Sequence, residues 1–319
     1  MRMARAALVA GHSMPLSSIR TLPASVPSQA AVSAALECAQ AELPGLQLDG
    51  PAQVLVGTRS RPHPNSVFTP SVCTATPPSG SFWRLAPGIY VSTPVLCFVR
   101  AVARDSSDIA LVELGCELCG TYATARTGAG DAFDVMPMAT LGELRAFAQR
   151  CTNVGGARRA ARLLRHVVEG SASPRETKLA LVLGLPHRHG GFGLGMPRMN
   201  YEVEASREAS LIAQRRSFRC DLCWPQAHLD VEYQSRAIHG NEASRIADSR
   251  RANALHAMGW EVIGVTNEEL DSMASLEVIA KTVAKHLGKR IRVRVDGYHE
   301  RQLSLRAELG LWIDTWSLH

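Results

Sequence analysis

Two short runs of alternating side chains in the second half of the chain constrain its fold more than any other feature. Residues 218–223 and 229–234 each alternate in a way that places successive side chains on opposite faces of a strand. The link between them is short and contains Pro225, so we predict a tight hairpin. Its geometry brings Asp221 and Glu232 together on one face of a sheet.

The sequence around this hairpin predicts an α/β module. Helices are expected from Ser173-Pro174 to about residue 184 and at 247–258, with further strands at 199–204 and 260–265. Thr266 and Glu269 form a capping box that opens the next helix, whose apolar stripe ends at Gly288. The glycines at 190–195 lack the Lys-Ser/Thr of a phosphate loop, and we interpret them as a flexible loop.

The first half of the chain has a different pattern. Helices are predicted at 27–42, from Thr93-Pro94 onward, and at 109–122, 140–150 and 156–169, with a strand at 53–57 and a hairpin at 81–91. We therefore divide the chain into an N-terminal helical segment of unassigned role (1–50), an α+β region with a helical linker (51–170), the α/β module (171–288) and a basic amphipathic tail (289–319).

Composition limits the classes of function. A chain of 319 residues with 46% hydrophobic residues can bury a core, which excludes a disordered polymer. It contains no run of ~18 apolar residues, so we expect no membrane-spanning helix. Eight thinly spread cysteines predict a reducing cytoplasm. The net charge of +6 permits a phosphate-bearing partner.

Four of the cysteines form two CxxC pairs, Cys116 with Cys119 and Cys220 with Cys223. Four thiolates can form a closed zinc site, and a zinc-organised interaction protein is one alternative. On a strand, however, Cys220 and Cys223 point to opposite faces, and the two pairs lie about a hundred residues apart. We therefore favour buried free thiols.

The converging carboxylates of Asp221 and Glu232 suit a hard cation. Mg²⁺ prefers oxygen ligands, keeps several waters and accepts substrate phosphates as further ligands. A metal held in this way can activate water against a phosphodiester. His239 follows one loop later, and it can exchange a proton near neutral pH.

Several short motifs in this region resemble a known family. They are Asp221-Leu-x-Trp-Pro225, Val231-Glu-Tyr followed by His239, Asp248-x-Arg250-Arg251, Leu255-x-x-x-Gly259-Trp-Glu-Val262, Val265-Thr266 and Glu269-Leu270. In order and spacing they resemble the very-short-patch-repair-like endonucleases, a branch of the restriction-endonuclease-like PD-(D/E)xK superfamily. The resemblance covers about residues 171–288 and implies a mixed sheet flanked by helices.

The resemblance also implies a function and a site. The activity would be hydrolysis of DNA phosphodiester bonds with Mg²⁺ or Mn²⁺ as cofactor. The implied roles are metal binding by Asp221 and Glu232, a third acidic contribution from Glu176, proton transfer assisted by His239, a supporting role for Asp248, and phosphate contacts by Arg250 and Arg251. A basic patch that ends at Arg219 can also follow a DNA backbone.

One position departs from the superfamily pattern. A lysine often stands two residues after the second carboxylate, and here that residue is Gln234. Glutamine can orient a water molecule but supplies no positive charge. A catalytically inactive DNA-binding protein or antitoxin-type regulator with the same fold is therefore the alternative function.

Other interpretations stay open. Glu176 lies three residues after Ser173 and can serve as a helix-capping residue, alone or together with a catalytic role. Arg250 and Arg251 can simply be solvated. The first half is similar to abortive-infection antitoxin-like proteins in residues 54–57 and 87–94, although their winged helix is not evident, and no functional residue is carried over. The sequence leaves the oligomeric state open, a homodimer included.

Overall fold

The computed structural model describes residues 1–16, 22–46, 48, 50–58, 63–234 and 242–311, without the side chains of residues 242–245. The chain is a mixed α/β protein that divides into two compact units, Met1–Val167 (unit 1) and Val168–His319 (unit 2). The finer four-part division stays a prediction. None of the helices in the described ranges is long and apolar enough to cross a bilayer.

Unit 1 combines helices with three two-stranded sheets among its described residues. Its elements are α1 (Arg2–Val9), α2 (Gln29–Glu42), β1 (Ala52–Val56), β2 (Phe68–Val72), β3 (Phe82–Ala86), β4 (Ile89–Ser92), α3 (Pro94–Val102), α4 (Asp108–Leu118), β5 (Tyr122–Ala123), β6 (Ala132–Phe133), α5 (Leu141–Arg150) and α6 (Ala157–Leu163). Strands β1 and β2 pair in parallel, whereas β3–β4 and β5–β6 are antiparallel.

Two helices of unit 1 are shorter than predicted. Helix α4 ends at Leu118, and residues predicted to continue it form β5. The cause is the buried carboxylate of Glu117, which accepts hydrogen bonds from the backbone N–H and the hydroxyl of Thr124 at 2.7 and 3.0 Å. These bonds turn the chain, and buried Tyr122 extends the apolar pattern without extending the helix. Helix α6 ends at Leu163, where residues up to 169 were predicted to be helical.

Unit 2 is built around one four-stranded sheet. Its elements are α7 (Pro174–Gly184), β7 (Arg198–Glu204), α8 (Arg207–Ala213), β8 (Ser217–Trp224), β9 (Leu229–Gln234), α9 (Glu242–Ala257), β10 (Glu261–Thr266), α10 (Asn267–Asp271), α11 (Met273–His286) and α12 (Tyr298–Glu308), with short 3₁₀ turns at His187–His189 and Pro225–Ala227. The sheet has the order β10-β9-β8-β7. It is mixed, because β9 and β10 are parallel while the other neighbours are antiparallel.

The elements predicted for unit 2 lie within a few residues of the observed ones. The hairpin of β8 and β9 is confirmed, as is the capping box of Thr266 and Glu269 at the start of α10. Trp224 and Trp260 are buried, which confirms their placement in the core. Helix α8 and the tail helix α12 were not predicted.

The glycine-rich segment 190–195 differs from its prediction as a flexible loop. The hydroxyl of Tyr298 donates to the carbonyl of Gly191 at 2.9 Å, and the indole N–H of Trp224 donates to that of Gly195 at 3.2 Å. Gly190 has φ of 83°, and a Cβ there would lie 2.2 Å from the Arg301 carbonyl oxygen. The glycines therefore permit close packing of backbone on backbone.

Candidate active site: the carboxylate cluster of unit 2

Asp221 and Glu232 each lie one residue beyond the last register pair of the β8–β9 hairpin. That last pair is Leu222 with Val231, and the same register continues through Cys223 with Asp230 and Trp224 with Leu229. The carboxylate of Asp221 accepts a hydrogen bond from the backbone N–H of Tyr233 at 3.0 Å. Both acidic side chains are half-buried. They stand where the pairing of β8 with β9 ends.

A third carboxylate, Asp230, lies beside them. Its side chain is fully buried, and its Oδ1 atom has no hydrogen-bond partner among the described residues. Nη2 of Arg251, on α9, lies 2.5 Å from Oε1 of Glu232 and 3.3 Å from Oδ2 of Asp230. The same nitrogen donates to the backbone carbonyl of Arg219 at 2.7 Å. Two N–H hydrogens thus serve three acceptors, which explains why the contact with Asp230 is the longest.

The electrostatics of the cluster favour protonated carboxyl groups. Burial, followed by the charges of Glu232 and Glu176, raises the pKa of Asp221 to about 7. Burial, with a further contribution from the Cys220 thiol, raises the pKa of Asp230 to about 7. Burial and the adjacent Asp230 raise the pKa of Glu232 to about 8 against the opposing effect of Arg251. One guanidinium therefore does not neutralise the group.

Glu176 reaches the cluster from the first turn of α7. Its carboxylate accepts hydrogen bonds from the Ala172 N–H at 3.0 Å, the Ser173 hydroxyl at 3.0 Å and the Asn200 amide at 3.1 Å. The Ser173 hydroxyl in turn accepts from the N–H of Glu176 at 3.1 Å. Glu176 thus caps α7 while its charge acts on Asp221. The predicted capping role is confirmed, and the catalytic role stays a prediction.

Gln234 lies on the same side of the sheet as Glu232. Gly264 on β10 is the register partner of Glu232, and a Cβ on Gly264 would lie 2.7 Å from the Gln234 amide nitrogen. The absence of a side chain at Gly264 therefore makes room for the Gln234 amide beside Glu232. This is where the superfamily often has a lysine.

The other predicted residues are less closely tied to the cluster. Asp248 and Arg250 are exposed on α9, and neither makes a hydrogen bond or an ion pair within the described part of the chain. Ala247 is exposed, whereas Ala254 and Leu255 form the core-facing side of α9. His239 lies outside the described residues.

Cys220 and Cys223, predicted to point to opposite faces of β8, share one buried environment. Both thiols are fully buried in the same core cluster, which also contains Phe218 and Trp260. Residues 222–224 are buried in succession, so β8 is covered on both faces there. A hydrogen bond with Cys223, then burial, raises the pKa of Cys220. All eight cysteines are free thiols, as we favoured.

Two residues of the site were missed from the sequence. Asp230 stands two positions before Glu232, and strand alternation already placed it on the same face. Asn200 was read as an ordinary strand residue. It has φ of 48°, a conformation in which asparagine is enriched, and its amide oxygen accepts from Nε of Arg219 at 2.6 Å. Asn200 thereby links Arg219 to Glu176.

The described residues offer a divalent cation a pair of carboxylates, Asp221 and Glu232. Across the described ranges, no group of three or more His, Cys, Asp or Glu side chains is arranged to hold a metal ion. Mg²⁺ is commonly bound by one or two carboxylates, with waters and substrate phosphates as the remaining ligands. Asp221 and Glu232 fit that pattern, and the excess of carboxylates over cations at the site favours a positive ion.

Comparisons with known proteins add no assignment. No protein-family model, no curated protein and no solved structure matches the chain.

Proposed function

We propose that the protein is a Mg²⁺-dependent DNA endonuclease whose active site is the carboxylate cluster of unit 2. The observation that carries the proposal is the convergence of Asp221, Asp230 and Glu232 at the end of the β8–β9 hairpin, with only Arg251 as a counter-charge among the described residues. Perturbed carboxyl groups of this kind cluster at functional sites. The mixed sheet with helices on its flanks agrees with the fold that the motifs imply.

Asp221 and Glu232 would hold the cation through their oxygen atoms. When bound, Mg²⁺ polarises a phosphodiester and lowers the pKa of a water ligand. The two carboxyl groups must ionise to act as ligands, and their raised pKa values mean that cation binding releases protons near neutral pH. Gln234, whose amide lies against Gly264, would orient a water molecule. We assign proton transfer to His239 and a supporting role to Asp248, as the motifs imply.

Arginines on the same side would bind the DNA backbone. Arg219 and Arg250 are exposed, and Nε and Nη1 of Arg251 make no hydrogen bond with described residues. Because such contacts release counterions, the DNA affinity should fall steeply as salt rises. An affinity that does not change with salt would argue against a nucleic-acid substrate.

A cleavage assay tests the proposal. Supercoiled plasmid is incubated with wild-type protein, Asp221→Ala and Glu204→Ala, the last being an exposed carboxylate of the same sheet. Nicking should require Mg²⁺ or Mn²⁺, should be lost in Asp221→Ala and should persist in Glu204→Ala. Cation-dependent cleavage by Asp221→Ala at the wild-type rate would refute the assignment of the site.

The position of Arg251 favours one alternative. A guanidinium 2.5 Å from Glu232 already provides a positive charge where a catalytic cation would bind. A DNA-binding protein or antitoxin-type regulator that retains the fold without catalysis would keep this arrangement permanently. It would bind DNA in the same assay and leave the plasmid intact with every divalent cation.

A further inference from the structure

Arg251 contacts the carboxylate cluster through one of its three guanidinium nitrogens. Its Nη2 contacts Glu232 and Asp230, and the side chain is 21% exposed. Its Nε and Nη1 donors make no hydrogen bond with described residues. Arginine carries five N–H donors in a rigid fork that matches carboxylate and phosphate geometry. Arg251 is thus able to bind a carboxylate on one side and a phosphate on the other.

Asp230 explains why Arg251 occupies this position. The carboxylate is fully buried on β9, so it cannot reach solvent or a ligand outside the protein. An ionised group in such a place needs a cation, and Arg251 is the cation bonded to it in the described structure. Asp230 therefore holds the arginine next to Glu232.

A divalent cation and Arg251 compete for the same carboxylate. Glu232 has one oxygen bonded to the guanidinium, and a metal ligated to this carboxylate would lie within a few ångströms of that charge. Like charges at this distance in a half-buried site repel strongly. This repulsion favours movement of the guanidinium away from Glu232 when the cation binds.

We propose that Arg251 is a resident counter-cation, positioned by Asp230, that leaves Glu232 when a divalent cation binds and then contacts the DNA phosphate. Arg251 is thus a positioning residue in the free protein and a substrate-binding residue in the loaded one. The inference rests on the proposed function, since it assumes a cation at Asp221 and Glu232. It extends that function by linking cation binding to DNA binding.

The first test measures Mn²⁺ binding without DNA at pH 8, by electron paramagnetic resonance of the free ion. Arg251→Gln removes the competing charge, and Arg250→Gln removes an exposed charge next to it on the same helix. Arg251→Gln should bind Mn²⁺ at least about tenfold more tightly than wild type. One neighbouring charge shifts a pKa by about one to three units, and a tenfold change in affinity corresponds to the lower limit of that range. Arg250→Gln should stay within about twofold of wild type, because screening weakens a solvent-exposed charge.

The second test measures DNA affinity in EDTA and in Ca²⁺, a divalent probe for the binding equilibrium. Arg251→Gln should weaken DNA binding clearly more in Ca²⁺ than in EDTA, because the wild-type guanidinium is released only when the cation is bound. Arg250→Gln should weaken binding by the same factor in both conditions.

A third measurement uses the wild-type protein, in case Arg251→Gln does not fold. The arginine Nε–Hε resonances are followed by NMR during a Mg²⁺ titration without DNA, with Arg251 assigned from an Arg251→Lys spectrum. The Arg251 resonance should shift with the cation, while that of Arg250 should not. An Arg251 resonance that stays constant at saturating Mg²⁺ would overturn the inference.

The outcomes separate the inference from the proposed function. Equal Mn²⁺ affinities of Arg251→Gln and wild type, together with intact Mg²⁺-dependent cleavage, would overturn the inference and leave the endonuclease standing. Tighter Mn²⁺ binding by Arg251→Gln without cleavage by any variant would support the inference and refute the enzyme. The absence of Mn²⁺ binding in every variant would overturn both.

Discussion

The described residues include a carboxylate cluster with a nearby arginine in each unit, and the two clusters are built in opposite ways. In unit 1 the carboxylate of Glu117 is 2% exposed and accepts hydrogen bonds from the N–H and hydroxyl of Thr124 and from the hydroxyl of Thr127. Arg5 donates to the same Thr127 hydroxyl at 3.3 Å. One charge is thus surrounded by neutral donors.

In unit 2 several carboxylates share one guanidinium. Asp230 is fully buried, its Oδ1 atom has no partner among the described residues, and the pKa values of its acidic neighbours are raised. A satisfied buried charge stabilises a fold, whereas like charges held together cost stability and are retained where a ligand binds. The contrast indicates a structural role for Glu117 and supports the functional role that we propose for Asp221, Asp230 and Glu232.

The largest expected effect is on stability and concerns Glu117. Replacing it with alanine leaves the backbone N–H of Thr124 and the hydroxyl of Thr127 without their acceptor and removes the negative charge that acts on buried Arg5. Each buried donor left unsatisfied costs about 1–3 kcal/mol, so we expect a loss of about 3–5 kcal/mol in the free energy of unfolding. Glu113→Ala is the control, because its ion pair with Arg126 is partly exposed and contributes below about 1 kcal/mol. Denaturant unfolding measures both. Similar losses in the two variants would remove the contrast between the clusters.

Replacing Asp230 with asparagine should increase the free energy of unfolding at high pH, in contrast to the loss expected for Glu117→Ala. Its pKa in the folded protein is about 7, above the ~3.9 of an unfolded aspartate, so the folded state binds more protons between these values. The stability contributed by the protonated carboxyl is complete below pH ~4 and is lost as pH rises through about 7. Asparagine does not ionise and avoids that loss.

The measurement for Asp230 is unfolding at pH 5.5 and pH 8.5 without divalent cations. Wild type should lose more stability between the two values than Asp230→Asn does. An equal or larger loss in Asp230→Asn would show that Asp230 is satisfied in the folded protein, as Glu117 is.

The smallest effect is expected for Glu176. It resembles Glu117 in its hydrogen bonds and also belongs to the carboxylate cluster of unit 2. Its carboxylate accepts three hydrogen bonds as Glu117 does, and its charge acts on Asp221 as part of the cluster. Glu176→Gln should cost about 1 kcal/mol of stability and lower the pKa of Asp221, which NMR of the carboxyl carbon reports. An unchanged Asp221 pKa would place Glu176 with Glu117 as a purely structural residue.

Local patterns in the sequence predicted much of the fold of unit 2. Alternation fixed the β8–β9 hairpin, and the capping box of Thr266 and Glu269 fixed the start of α10. The errors occurred where a distant contact decides the outcome. The buried carboxylate of Glu117 ends α4 early, and the packing of Tyr298 on Gly191 holds a segment that its glycines alone made flexible.

Local patterns predicted part of the candidate site, and contacts between elements decide the rest. Alternation places Asp221 and Glu232 on one face, but it does not show which cation faces them. That Arg251 pairs with Glu232 depends on how α9 packs on the sheet, which no short pattern encodes. Asn200 was missed because a left-handed residue inside a strand has no distinct local signal.

The central claim is that the unit 2 carboxylates form a divalent-cation site. The most direct test is the binding of Mn²⁺ to purified protein at pH 8, measured for wild type, Asp221→Asn and Glu204→Gln. Wild type and Glu204→Gln should each bind one Mn²⁺ ion, with the affinity lowered at least about tenfold in Asp221→Asn. Binding of Mn²⁺ by Asp221→Asn with wild-type affinity would contradict the account, and so would the absence of binding by wild type.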